Sequence, residues 1–196
     1  MSPDLLSGTG DGTGPLTEEE RQGLIPSYIT TREELNEAEQ ENITLAEDWA
    51  FSRHRDVLDE KFLCRLHKEM LKNVWKWAGE YRRTGKNIGV DAWRISPDLQ
   101  HTLNDVRYWV EHQTYPPDEI AVRFHHRLVF IHPFPNGNGR HARIAADLLA
   151  LHLKRPRFTW GRESIVELGE TRQRYINALR AADNHDLAPL LSFARS

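Results

Sequence analysis

Residues 132–143 read His-Pro-Phe-Pro-Asn-Gly-Asn-Gly-Arg-His-Ala-Arg, and this stretch decides how the chain is read. It opens with a base-capable imidazole, turns through two glycines and closes with two arginines at helical spacing. Pro133 and Pro135 stop any helix that precedes them, because proline lacks an amide hydrogen and restricts the residue before it. Beyond the glycines, Ile144, Ala145, Leu148, Leu149 and Leu151 predict a new helix over 137–153. A helix N-terminus exposes unpaired N–H groups and partial positive charge, and Gly137 and Gly139 permit close backbone approach. Together they form an anion hole suited to phosphate. Arg140 and Arg143 leave one face of the new helix, and their guanidinium forks match phosphate oxygens. His132, at the end of the preceding helix, faces this hole. An imidazole with an ordinary pKa of about 6.5 suits proton abstraction at neutral pH. Phe134 is expected to pack inward and fix the loop.

Working outward, the chain reads as one mainly α-helical domain with no internal repeats and no interdomain linker. Helices are expected over 31–52, 59–72, 97–112, 118–131, 137–153, 165–182 and 187–195. Thr31-Arg-Glu-Glu34 opens the first of these as a capping box. Its apolar stripe runs through Leu35, Ile43, Ala46, Trp49 and Ala50. Residues 73–96 mix aromatics, β-branched residues and glycines, and they are the one stretch that reads as β: an irregular segment with a small hairpin. Residues 7–14 alternate glycine with Ser, Thr and Asp. No strand precedes them, so they read as a flexible leader rather than a dinucleotide fingerprint.

Composition excludes more than it selects. The chain has 196 residues, enough for one domain with a real core. Lys plus Arg is 26 against 29 Asp plus Glu, a net charge of -3, so bulk charge gives no case for nucleic acid or membrane as a partner. No apolar run is long enough to span a bilayer, and residues 1–8 lack a signal-peptide pattern. The expectation is a cytoplasmic protein that binds neither membrane nor nucleic acid directly. The lone Cys64 lies on an apolar helical stripe and reads as a small core residue. His125, His126, His132 and His141 cluster in sequence without a zinc-binding pattern.

The 132–143 string resembles the signature of the Fic family, His-Pro-Phe-x-(Asp/Glu/Asn)-Gly-Asn-Gly-Arg-x-x-Arg, at every fixed position. Residues 121–131 look like the helix that leads into the motif in Fic domains, and 175–183 fit the closing segment. The resemblance implies a Fic-type fold of about seven to eight helices with a small β-hairpin flap. It divides the chain into a leader (1–16), an N-terminal segment with an inhibitory helix (17–52) and the catalytic core (53–196). It implies transfer of AMP from ATP, with Mg²⁺, onto a Ser, Thr or Tyr hydroxyl of a target protein. By the same resemblance His132 is the general base. The Gly137-Asn138-Gly139 backbone holds the α- and β-phosphates, Arg140 contacts phosphates and Arg143 orients the γ-phosphate. Asn136 stands where active relatives carry an acidic Mg²⁺ ligand; an amide oxygen can bind the ion, but without the charge. Trp75-Lys-Trp-Ala-Gly-Glu-Tyr81 resembles the approach to the flap, which aligns the target by strand addition. Gly85, Lys86, Asn87, Ile88, Gly89 and Val90 are its candidate residues.

Many Fic proteins carry an inhibitory helix with the pattern (Ser/Thr)-x-x-x-Glu-(Gly/Asn), whose Glu pairs with the second motif arginine. The nearest match is 37–42, where Glu41-Asn42 fits and Glu37 replaces Ser or Thr. Glu41 is thereby expected to pair with Arg143. The segment 24–31 and the leader look like a subgroup called "mobile mystery protein B", which accompanies a helix-turn-helix partner protein. Three readings stay open from sequence: an AMP transferase of toxin-like kind, a transferase of another nucleotide or of a phosphate group, and a catalytically weak module acting with a DNA-binding partner. An oligomer is compatible with each.

Overall fold

In the computed structural model, which describes residues 16–162 and 168–196, every extended element is a helix. The order is α1 (Glu18–Arg21), α2 (Arg32–Phe51), α3 (Glu60–Leu71), a 3₁₀ turn (Ala92–Arg94), α4 (Ile95–His112), α5 (Pro117–Ile131), α6 (Asn138–His152), α7 (Leu168–Asp183) and α8 (Ala188–Ala194). Eight α-helices therefore stand among the described residues. The leader, apart from Leu16, lies outside them, as does the expected start of α7 before residue 168.

Local chemistry explains the helix starts. Thr31 and Glu34 form the reciprocal capping box at α2, and Thr17 with Glu20 does the same for the four-residue α1. The Thr17-x-x-Glu20 signal was present in the sequence, although no helix was expected there. Asp59 caps α3 by accepting from the Lys61 N–H. Pro117 occupies the first turn of α5, where a missing amide hydrogen costs nothing. Pro97 likewise sits in the first turn of α4, which lets that helix begin at Ile95, two residues earlier than expected.

α5 is central. It packs against α6, α4 and α8, while α2 pairs with α3 and both reach α6. Phe124, Leu128, Leu66, Met70 and Leu149 are fully buried at these contacts. Each such side chain contributes about 1.5–3 kcal/mol of burial, which fixes the α5–α6 corner that presents residues 132–143.

The expected hairpin at 85–96 is absent: among the described residues no strand forms, and the one β feature is a bridge between Leu24 and Trp75. The groups that would pair across a hairpin have other partners. The Arg82 and Val90 N–H groups donate to the carbonyls of Pro133 (2.9 Å) and Ile131 (3.3 Å). The Arg82 guanidinium takes the Thr84 and Val90 carbonyls. Residues 82–90 are thus laid against the 131–133 turn instead of folding back on themselves.

Candidate active site

α5 ends at Ile131, and His132 caps it in the left-handed conformation, with φ 53° and ψ 60°. Five residues later Gly137 caps α6, also left-handed at φ 78°, and no side chain makes a capping hydrogen bond to the helix end. A Cβ at Gly137 would come 3.1 Å from Leu71 Cδ1, so this position needs glycine for both conformation and space. The loop between the two caps is held from inside. Asn138 closes it by accepting from the Phe134 N–H (2.9 Å) and donating to the Phe134 carbonyl (2.8 Å). Phe134 is buried and stacks on His67 with ring centroids 3.7 Å apart. His67 Nδ1 accepts from the Gly79 N–H, so Nε2 carries the proton it shares with the Asn136 carbonyl (2.9 Å). Complete burial, with His141 and Arg140 nearby, keeps His67 neutral.

A cavity of about 660 Å³ opens beside this corner. His132, Gly137, Gly139, Arg140 and Arg143 line it, as do the apolar Val129, Ile176, Leu179 and Phe193. The structure therefore brings together the imidazole, the uncapped α6 N-terminus and both arginines. His132 is buried, and neither ring nitrogen has a hydrogen bond of good geometry. Its pKa is pushed down to about 4, chiefly by burial and then by the Arg82 guanidinium; the Val129 carbonyl offsets part of this, and Lys86 adds to it.

Arg143 lies over the Tyr175 ring at 4.4 Å, with its buried Nε lacking a partner. The Tyr175 hydroxyl meets His125 Nε2 at 3.0 Å, so a buried Tyr–His pair forms the shelf for this arginine. His126, the next residue, leaves the helix in another direction and pairs with Asp183 at 2.8 Å on the cavity wall.

Glu41 does not reach Arg143. It is exposed, whereas Glu39 is buried and meets Arg140 at 2.6 Å. Glu39 also accepts from Trp75 Nε1 (2.7 Å) and lies 3.4 Å from Asn136 Nδ2. Helical phase is the reason. The buried face of α2 runs Leu35, Glu39, Asn42, Ile43, Ala46, Ala50, and Glu41 sits about 200° around the helix from Glu39. An acid at i+4 from Leu35 and i−4 from Ile43 was the signal in the sequence.

Asn136, the candidate metal ligand, is buried at the turn. Its Oδ1 accepts from the Gly137 N–H (2.7 Å) and its Nδ2 points to Glu39, so the amide oxygen already has a donor. No group of three His, Cys, Asp or Glu among the described residues could hold a metal ion. A buried amide oxygen with one lone pair left fits at most a weak, uncharged ligand for Mg²⁺. Of the flap candidates, Ile88 and Gly89 line the cavity and Val90 is buried. Lys86 forms a buried ion pair with Glu20 at 2.5 Å, Asn87 is exposed, and Gly85 borders open space.

Residues 57–150 match the model of the Fic/DOC family. The protein adenylyltransferase fic-1 of Caenorhabditis elegans is 29% identical over 147 residues, covering 72% of this chain and 27% of that protein. The chain thus spans less than a third of the length of the curated relatives it matches. Among solved structures, Fic-1 of C. elegans (residues 134–508) is similar with a TM-score of 0.66 at 22% identity, covering 89% of this chain and 51% of that one. The N-terminal Fic domain of a Bartonella quintana effector with bound ADP gives a TM-score of 0.66 at 16% identity, covering 86% of each chain. These likenesses establish a Fic-like, all-helical fold. No helix among the described residues is long and apolar enough to cross a membrane.

Proposed function

We propose that this cleft is a nucleotidyltransferase site that moves AMP from ATP to a hydroxyl side chain of a target protein. One observation carries the reading: an imidazole without a good hydrogen-bond partner faces the same cavity as an uncapped helix N-terminus and two arginines. With its pKa near 4, His132 is neutral at physiological pH and can accept the proton of the attacking hydroxyl. The hydroxyl oxygen bonds to the α-phosphorus as the bond to pyrophosphate breaks. Phosphate charge beside the ring raises its basicity as the proton transfers. The N–H groups of Asn138, Gly139 and Arg140 at the start of α6, with Arg140 and Arg143, stabilise the charge on the phosphates. Asn138 acts through its backbone only, because its side chain closes the loop. The bound ADP of the B. quintana relative supports a nucleotide in this fold, and the names of the curated relatives support AMP as the group.

A restrained enzyme is the companion reading, favoured by the Glu39–Arg140 pair. While Glu39 holds Arg140, the guanidinium offers fewer donors to a phosphate, and α2 acts as a brake on the site. The likeness to "mobile mystery protein B" supports a helix-turn-helix protein as partner. Incubating the chain with ATP, GTP, UTP and CTP in separate reactions, followed by intact mass measurement, tests the function. An adenylate adduct from ATP supports the AMP reading; an adduct from another nucleotide alone redirects it. Unmodified protein that also binds no nucleotide would sink both.

A further inference from the structure

Arg82 is almost completely buried, with 2% of its surface exposed, and no carboxylate among the described residues pairs with it in an ion pair. Instead its hydrogen bonds go to backbone carbonyls. Nε donates to the His132 carbonyl (2.7 Å), Nη1 to that of Thr84 (2.9 Å), and Nη2 to those of Val90 and Ile131 (3.3 Å for the latter). Its own N–H donates to the Pro133 carbonyl (2.9 Å). Three successive carbonyls, 131, 132 and 133, are therefore held by one residue. They lie where α5 ends, where carbonyls lack helical partners and a cation is favoured. Next to that fork, a Cβ on Gly89 would stand 2.6 Å from His132 Cβ and 2.9 Å from Arg82 Nη2. His132 is thus held between the Gly89 backbone and the Arg82 carbonyl clamp, in a left-handed conformation rare for residues other than glycine.

We infer that Arg82 is the positioning residue of the His132 base: its guanidinium fixes the left-handed turn that aims the imidazole into the cavity. This rests on the transferase reading for its kinetic consequence, but not for its geometric one. The planar fork is essential, because a lysine brings one point of charge and cannot reach carbonyls spread over 84–132 in one plane. Arg82 also places a cation near the ring, which favours the neutral imidazole, with Glu20 and Asp91 as the acidic groups acting on that cation. The other charged groups on elements around His132 are Lys86 with its partner Glu20, Arg140 with Glu39, Arg143, and the His126–Asp183 pair.

The test compares wild type, Arg82→Lys and Arg82→Gln by three readouts: ATP affinity, single-turnover transfer at saturating ATP, and NMR titration of the ¹⁵N-labelled His132 ring. Arg82→Lys is expected to bind ATP within about threefold of wild type and transfer on the order of 100-fold more slowly, a loss typical of a misaimed catalytic group. In Arg82→Gln, His132 is expected to protonate at a pH higher by roughly one unit, because the nearby cation is gone. Transfer within threefold of wild type in folded Arg82→Lys would overturn the inference. So would ATP binding and transfer lost in equal proportion, the mark of a merely structural role. If wild type itself transfers nothing, the transferase reading fails while the ring titration and ring signals still decide: identical His132 spectra in wild type and Arg82→Lys would overturn the positioning role. If Arg82→Gln does not fold, the Arg82→Lys spectra and kinetics carry the decision.

Discussion

Glu39 on α2 and Arg140 on α6 lie 101 residues apart in sequence and meet at 2.6 Å beside the uncapped end of α6. The Glu39 side chain is buried and the Arg140 side chain is 29% exposed, so the contact joins the interior of α2 to the rim of the cavity. Trp75 Nε1 holds the other carboxylate oxygen, which fixes the direction in which Glu39 points. This relationship ties α2 to an arginine that lines the cavity.

Glu39→Gln keeps an oxygen for Trp75 but removes the charge that holds Arg140. Nucleotide affinity and transfer are expected to rise several-fold, with folding stability lower by about 1–3 kcal/mol from the weakened buried network. Glu41→Gly is expected to leave affinity within twofold, since Glu41 is exposed on the opposite side of α2. Fluorescent-nucleotide titration of both variants checks this. A larger effect from Glu41→Gly would return the brake to the residue first read from the sequence.

Asn136→Asp converts the amide nitrogen facing Glu39 into an oxygen. Two carboxylates then stand about where Nδ2 and Oε1 lie, 3.4 Å apart and buried. The expected outcome is a lower melting temperature, by several degrees, with 1 kcal/mol corresponding to about 2–4 °C in a chain of this size. A variant as stable as wild type would show that Glu39 swings away, and its Arg140 contact would then be the thing to measure.

Gly89→Ala meets two obstacles at once. The residue has φ +89°, and a Cβ would press on His132 Cβ at 2.6 Å and on the Ile131 carbonyl at 3.0 Å. A stability loss of about 1–3 kcal/mol is expected from the strain, with transfer reduced by at least tenfold as the imidazole shifts. Gly85→Ala is the control, because a Cβ there meets nothing within 4 Å. Equal behaviour of the two variants would remove Gly89 from the clamp.

Four histidines make the fold acid-sensitive. The pKa values of His132 and His141 are about 4, and burial keeps those of His67 and His125 well below the ordinary value of 6.5. Between pH 6.5 and 4 the unfolded chain therefore binds protons that the folded chain does not. Stability falls as pH drops through that window, by on the order of 3 kcal/mol at most for His132 and for His141, with His67 and His125 acting in the same direction. Urea midpoints from pH 7.5 to 4.5 should decline steadily. A midpoint that is flat or rises toward acid would contradict the burial of these rings as neutral groups.

The helices were legible because they are local. Capping boxes, prolines and apolar stripes fix α2, α5 and α6 to within a residue or two of their expected ends. The motif was legible for the same reason, its turn and arginines being neighbours in sequence. What escaped depended on tertiary partners. The hairpin pattern at 85–96 had the right residue types, but the Val90 N–H was claimed by the Ile131 carbonyl, about 40 residues away, and the Val90 carbonyl by the Arg82 guanidinium. Arg82 and Tyr175 matter through long-range contacts that no local pattern announces. Glu39 was within reach of sequence reasoning: following the apolar register of α2, rather than a short inhibitory pattern, points to it.

The most direct measurement is intact mass spectrometry of wild type, Glu39→Gln and His132→Ala after incubation with ATP and Mg²⁺, alone and with a lysate supplying acceptor proteins and ³²P-labelled α-phosphate. The prediction is adenylate transfer by wild type, more by Glu39→Gln and none by His132→Ala. Label transferred equally by His132→Ala, or by none of the three although each binds ATP, would contradict the assignment of His132 as the base of a nucleotidyltransferase.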